Sequence, residues 1–167
     1  MALHTATAVI DLHALSNNYQ LIKSLSPDAK ILAVLKANGY GHGLERIANA
    51  LPDADAFGVA RIDEALALRA AGIEKPIVLL EGFFAKEDIE TLSVNNLQTI
   101  VHNEQQLSAI VNANVDSPLK VWLKIDTGMH RLGINPEQLA RFYQALIQSK
   151  NVQQPIILMS HLGCADD

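Results

Sequence analysis

Two stretches of this chain hold residue types that can do chemistry. The first, Ile31–Gly43 (ILAVLKANGYGHG), is an apolar run that ends in Lys36 and opens into a loop with glycines at 39, 41 and 43. Lysine is almost never fully buried without a partner. A lysine that closes an apolar strand is therefore a candidate for function. Desolvation disfavours the ammonium, and the neutral amine that results can attack a carbonyl to form a Schiff base. The competing reading is a lysine that extends its charge to solvent at a strand end. The loop is neither a dinucleotide fingerprint nor a Walker loop. Its glycines permit positive φ and close backbone approach, and a helix starting at Leu44 would suit an anion. Turns of this kind also use glycine with no ligand. The Tyr40 hydroxyl can orient a phosphate, or the ring can simply pack.

The second stretch is Val121–Gly133 (VWLKIDTGMHRLG). Lys124 and Asp126 fall on one side of a strand by its two-residue period. Arg131 follows in a loop, where its fork can hold a carboxylate through two parallel bonds. Together with Lys120 and His130, five ionisable residues gather around a single strand. Taken alone, they read as a Lys–Asp–Arg network on the surface. His161, in MSHLG, closes the sixth expected strand. It reads as a structural residue as readily as a functional one, and so do His42, His102 and His130. No Cys/His spacing matches a zinc site.

The elements that must position these residues repeat. Six β-rich runs are expected: Ile31–Lys36, Ala56–Ala60, Ile77–Gly82, Leu97–Val101, Leu119–Asp126 and Ile156–Gly163. The gaps between them suit one helix each. Runs such as PIVLLEG are apolar without alternation, as in parallel strands buried on both faces. A helix is expected over about Leu12–Leu25. Asn103 and Asn135 are expected caps, each with a glutamine three residues on, and Pro136 suits a first helical position. Behind these caps, Leu107, Ile110 and Val111 form one apolar stripe, and Leu139, Phe142, Tyr143, Leu146 and Ile147 another. Repeated βα units mean either a doubly wound sheet or a (β/α)8 barrel. The even spacing favours an α/β fold of the TIM-barrel type with about six of its eight strands, since a whole barrel takes about 250 residues and this chain has 167.

Composition narrows the partners. With a net charge of −5, the chain offers little to nucleic acid or an anionic membrane, both of which reward basic patches. No apolar run is long enough to cross a bilayer, and the first residues lack the pattern of a signal peptide. The single cysteine, Cys164, forms no internal disulfide. A cytoplasmic protein acting on a small molecule is expected.

Together, AVLKANGYGHG, DAFGVARIDEALALRAAGIEKPIVLLEGF, VWLKIDTGMHRLG and SHLGCADD resemble the alanine racemases, in the same order and over essentially the whole chain. The resemblance implies a barrel that binds pyridoxal 5'-phosphate and the interconversion of L- and D-alanine, which supplies D-alanine for peptidoglycan. It implies that Lys36 carries the cofactor and acts as one base on the α-proton. Tyr40 would bond the cofactor phosphate, and His161 would join the cofactor's hydrogen-bond network. Arg131 would face the substrate carboxylate and the cofactor's phenolic oxygen, and Lys124 matches a lysine carbamylated in many members. Members of the family are homodimers and continue with two more strands and a C-terminal β-domain. Residues 1–167 are thus expected to be the N-terminal part of the barrel domain. The β-domain, the arginine facing the pyridine nitrogen and the tyrosine serving as second base would be absent. ATAVIDL resembles a piece that lies with that β-domain. The chain by itself is expected to be inactive. The alternatives are a truncated non-catalytic protein that binds cofactor or a partner, and a stand-alone cofactor-binding barrel.

Overall fold

A computed structural model describes residues 6–165. Met1–Thr5 and the last two residues of SHLGCADD lie outside the described residues. Helix α1 spans Leu12–Leu25, where Asp11 accepts the His13 and Ala14 amides on one carboxylate oxygen and so caps it. The six strands are β1 (Leu32–Val34), β2 (Ala56–Val59), β3 (Ile77–Leu79), β4 (Gln98–Val101), β5 (Leu119–Lys124) and β6 (Val152–Met159). They form one sheet in sequential order, and every neighbouring pair is parallel. Helices cross between them: α2 (Lys36–Tyr40) and α3 (Leu44–Ala50), α4 (Ile62–Ala70), α5 (Asp88–Val94), α6 (Glu104–Val111) and α7 (Leu139–Gln148), the last preceded by a 3-10 turn over Pro136–Gln138. This is the α/β architecture of a partial TIM-type barrel.

The two faces of the sheet have different work. Phe57, Val59, Ile77, Leu79, Val101, Val121 and Leu123 point outward into one apolar cluster with Leu68 of α4, Leu92 of α5, Ile110 of α6 and Phe142 and Leu146 of α7. The alternate residues face the concave interior. There Gly58 pairs with Val34 and Val78, and Trp122 pairs with Ile100 and Ile157. A Cβ on Gly58 would lie 2.7 Å from Leu32 Cδ2 and 3.0 Å from Leu80 Cδ1, so glycine lets two leucines fill this layer. Trp122 Nε1 donates to Gln98 Oε1 at 2.8 Å across the same interior. At the opposite end from the site, the Arg69 guanidinium donates to the carbonyls of Ile73, Lys75, Asn95 and Asn96, and so ties together the turns that precede β3 and β4.

Several boundaries differ from the sequence expectation. β1 stops at Val34, so Lys36 lies beyond the strand and opens α2. β5 stops at Lys124, although Ile125 continues by pairing singly with Ile134. β6 starts at Val152, four residues before the expected start, and ends at Met159, which leaves His161 in the following loop. Opposite Pro155 the ladder is irregular between Lys120 and Trp122, and such an irregularity accommodates a proline inside β6. The caps at Asn103 and Asn135 form as expected. Val111, Tyr143 and Ile147 stay at the exposed margin of their helices. Residues 6–11 pair with no strand.

Candidate active site

The candidate site lies at the C-terminal ends of the strands, where loops of a barrel carry chemistry. After β1 the chain enters a left-handed turn. Ala37, Asn38, Gly39 and Tyr40 have φ of 52°, 55°, 62° and 55°. A left-handed conformation costs an L-residue with a Cβ about 1–2 kcal/mol, and runs of it are rare. The turn persists because it is held on several sides. The Gly39 amide donates to Leu35 O at 2.7 Å, and the Gly43 amide to Asn38 O at 2.9 Å. Asn38 Oδ1 accepts from the Leu44 amide at 2.9 Å, and the Asn38 amide donates to Glu64 Oε1 at 3.1 Å. Lys36 heads this turn and is half-buried, and Tyr40 ends it with 58% of its surface exposed.

Lys124, the last residue of β5, is only 5% exposed. Its neighbour by register is Met159 on β6, and both face the barrel interior. Burial lowers the proton affinity of its amine. The positive charges of Arg131 and Lys36 lower it further, and only Glu81 opposes them. Among the described residues it forms no salt bridge. The simple surface network therefore does not exist. Lys124 is inside, and the Asp126 carboxylate is engaged elsewhere. Asp126 Oδ1 accepts the Gly128 and His130 amides at 3.0 Å each, and Oδ2 meets His130 Nδ1 at 3.0 Å. These bonds, the Gly128 amide first, hold the Asp126 carboxyl at a pKa of about 2. Asp126 thus ties down the loop that presents Arg131. The loop closes where Ile134 donates to Lys124 O and accepts from the Asp126 amide, both at 2.9 Å.

Lys124, Asp126, Arg131 and His161 line one small recess. Of the residues singled out in the sequence, the structure thus gathers Lys124, Arg131 and His161, with Lys36 close enough to act on the charge of Lys124. Tyr40 shares the turn of Lys36. Lys120 lies apart, with its ammonium donating to Pro155 O at 2.6 Å.

Two features of the site had no strong signal in the sequence. His102 follows β4, and its Nε2 lies 3.2 Å from Glu81 O. Burial pulls its proton affinity down, the Glu81 carbonyl works the other way, and Lys124 adds to the lowering. Gln106, an expected capping glutamine, instead turns its amide inward. Its Nε2 donates to Glu81 O and Phe83 O, each at 3.1 Å, and its Oε1 accepts from the His102 amide at 3.0 Å. Glu81, His102 and Arg131 also border a larger open groove that runs between α5 and α6.

The donor set fits a small cofactor that is both an aldehyde and an anion. A primary amine stands at the mouth of the barrel, Lys124 and Arg131 line a recess at the strand ends, and a phenol is open to solvent. No group of three or more metal-ligating residues occurs among the described residues.

Comparison with known proteins agrees with this geometry. A family model described as the alanine racemase N-terminal domain matches residues 10–167. The chain is 57% identical over 162 residues to the alanine racemase of Vibrio vulnificus, covering 97% of this chain and 45% of that protein. It is 54% identical over 165 residues to the biosynthetic alanine racemase of Escherichia coli K12, covering 99% and 46%. The crystal structure of biosynthetic alanine racemase from Pseudomonas aeruginosa superposes with a TM-score of 0.89 at 40% identity, covering 94% of this chain and 44% of that one. A histidine racemase from Leuconostoc mesenteroides superposes with a TM-score of 0.75 at 29% identity, covering 84% and 39%. The chain spans a little under half the length of the curated relatives it matches.

Proposed function

This chain belongs to the alanine racemase family, and from that premise we propose that the protein interconverts L- and D-alanine with pyridoxal 5'-phosphate held covalently on Lys36. The observation that carries the reading is the placement of Lys36. It heads a strained left-handed turn at the strand ends, within electrostatic reach of Lys124, on which Arg131 also acts. When bound, the cofactor supplies an electron sink that acidifies the substrate Cα–H.

The residues of this chain divide the remaining work. Lys36 Nζ holds the cofactor and takes or returns the proton at Cα on one face of the substrate. The Tyr40 hydroxyl, free at the end of the turn, binds the cofactor phosphate. The Arg131 fork binds the substrate carboxylate. His161, in the recess with Arg131, contributes a hydrogen bond to the cofactor pocket. Lys124 is set up to react with carbon dioxide. Its burial and its cationic neighbours favour the neutral amine. The nitrogen lone pair forms an N–C bond to the carbon as one C=O π pair moves onto its oxygen, one N–H proton leaves to solvent, and an anionic carbamate remains. That anion would face Arg131 in place of a repelling ammonium.

The reading extends to the whole protein. Residues 1–167 form the N-terminal part of a (β/α)8 barrel domain, and the remaining strands join at β1 and β6. The second proton-transfer group and the group facing the pyridine nitrogen come from a C-terminal β-domain, the former across a homodimer interface. The protein works in the cytoplasm, where its D-alanine feeds peptidoglycan. Alanine is favoured over histidine by the closer likeness to alanine racemases, and a side-by-side racemisation assay with both amino acids separates the two.

The decisive experiment is borohydride reduction of the protein loaded with pyridoxal phosphate, followed by peptide mapping. The label is expected on Lys36. A label on Lys30 or Lys124 instead would overturn the assignment.

A further inference from the structure

We propose that Glu64 is a positioning residue, which locks the left-handed turn bearing Lys36 onto the end of β2. The proposal deepens the reading above and rests on Lys36 as the cofactor lysine.

Glu64 lies in the first turn of α4 and is half-buried. Its Oε2 accepts from the Ala60 amide at 3.0 Å and the Arg61 amide at 3.2 Å, which caps α4. Its Oε1 does something a cap does not require. It accepts at 3.1 Å from the Asn38 amide, which belongs to a different loop, 26 residues earlier in the chain. One carboxylate therefore joins the turn after β1 to the residues after β2. Asn38 is a central residue of that turn, and its own side chain secures the start of α3 by accepting from Leu44. Three of the five successive left-handed residues, Ala37, Asn38 and Tyr40, carry a Cβ. The turn needs external bonds to keep this shape, and the Glu64 bond comes from outside it. Releasing that bond frees the segment in which Lys36 and Tyr40 sit. A carboxylate is required rather than any acceptor, because three N–H groups converge on it from two directions. A glutamine would offer one oxygen and turn an NH2 toward an N–H.

The test is Glu64→Gln in the protein as it exists, with two readouts. The first is amide hydrogen exchange in the cofactor-free protein. The Asn38 amide is expected to exchange about tenfold faster, the scale of one bond to a charged group, while the Val121 amide in β5 is unchanged. The second is binding of pyridoxal phosphate followed by absorbance, expected to weaken by about tenfold. Unchanged exchange at Asn38 with unchanged binding would overturn the proposal. So would equal acceleration at Asn38 and Val121, because Glu64 would then be a general stabiliser. If the variant does not fold, the unmodified protein decides: Asn38 and Ala60 share one carboxylate and must be comparably protected, and an Asn38 amide exchanging as in an open chain refutes the lock. Failure of the cofactor reading is distinguishable, because it would appear as an unmodified protein that binds no pyridoxal phosphate on Lys36, whatever the exchange rates.

Discussion

Replacing Gly133 with alanine should damage both the stability and the activity of this protein, and the structure sets the size of each loss. Gly133 has φ of 135°, and a Cβ there would lie 2.4 Å from the Asp126 nitrogen and 2.7 Å from the Ile125 carbonyl carbon. Both are backbone atoms and cannot swing aside. Ordinary contact begins at 3.4 Å, so the two segments must part by about 1 Å (3.4 less 2.4). The bonds between them are Ile134 N–H to Lys124 O and Asp126 N–H to Ile134 O. Losing both costs about 2 kcal/mol at about 1 kcal/mol each, and the backbone conformation adds about 1–3 kcal/mol. The sum is about 3–5 kcal/mol, measurable by urea denaturation. Arg131 rides on the loop that these bonds close. A displacement of about 1 Å at a positioning group can cost about 100-fold in rate, read in the full-length protein as kcat/KM for the alanine racemisation proposed above. Gly128→Ala is the control. Its φ is 136°, but nothing lies within 4 Å of the added Cβ. It should show the backbone penalty alone, with much the smaller loss of rate. If Gly133→Ala behaves no worse than Gly128→Ala, the clash argument is wrong.

In the full-length protein, on the function proposed above, Lys124→Ala should lower racemisation, and added acetate should partly restore it by supplying the missing anion beside Arg131. Full activity without the additive would remove Lys124 from that role. Asp126→Asn should flatten the acid limb of the stability curve. The folded-state carboxyl sits at about 2, below its ordinary 3.8, so its contribution is complete above 3.8 and lost as the pH falls through about 2. The unmodified protein should lose stability in that window more steeply than the variant, in melts recorded between pH 5 and pH 2. Coincident curves would show that Asp126 does not anchor the loop.

Much of the frame was legible in the sequence, because periodicity and capping are local signals. α1 occupies Leu12–Leu25 as expected, and Asn103 and Asn135 cap their helices. The site was less legible. The glycines at 39, 41 and 43 signal positive φ, but Ala37, Asn38 and Tyr40 adopt it too, and one of the bonds at the turn comes from a carboxylate on α4. No local rule reports a bond across 26 residues. Lys124 looked like one member of a surface network because spacing carries no depth. It is inside because β5 lies between β4 and β6 and turns its even-numbered residues toward the interior. Gln106 was legible as a helix-start residue but not as a brace for Glu81 and Phe83, since its neighbours arrive from another loop.

The bond from Trp122 to Gln98 has an optical consequence. Trp122 is the only tryptophan in the chain, and its indole lies across β4 and β5 inside the barrel. The tryptophan emission of these 167 residues therefore comes from one position, beneath the strand ends, with no surface indole to dilute it. Its wavelength reports whether β4 and β5 remain in register. Its quenching by iodide reports how freely a small anion enters the barrel from above.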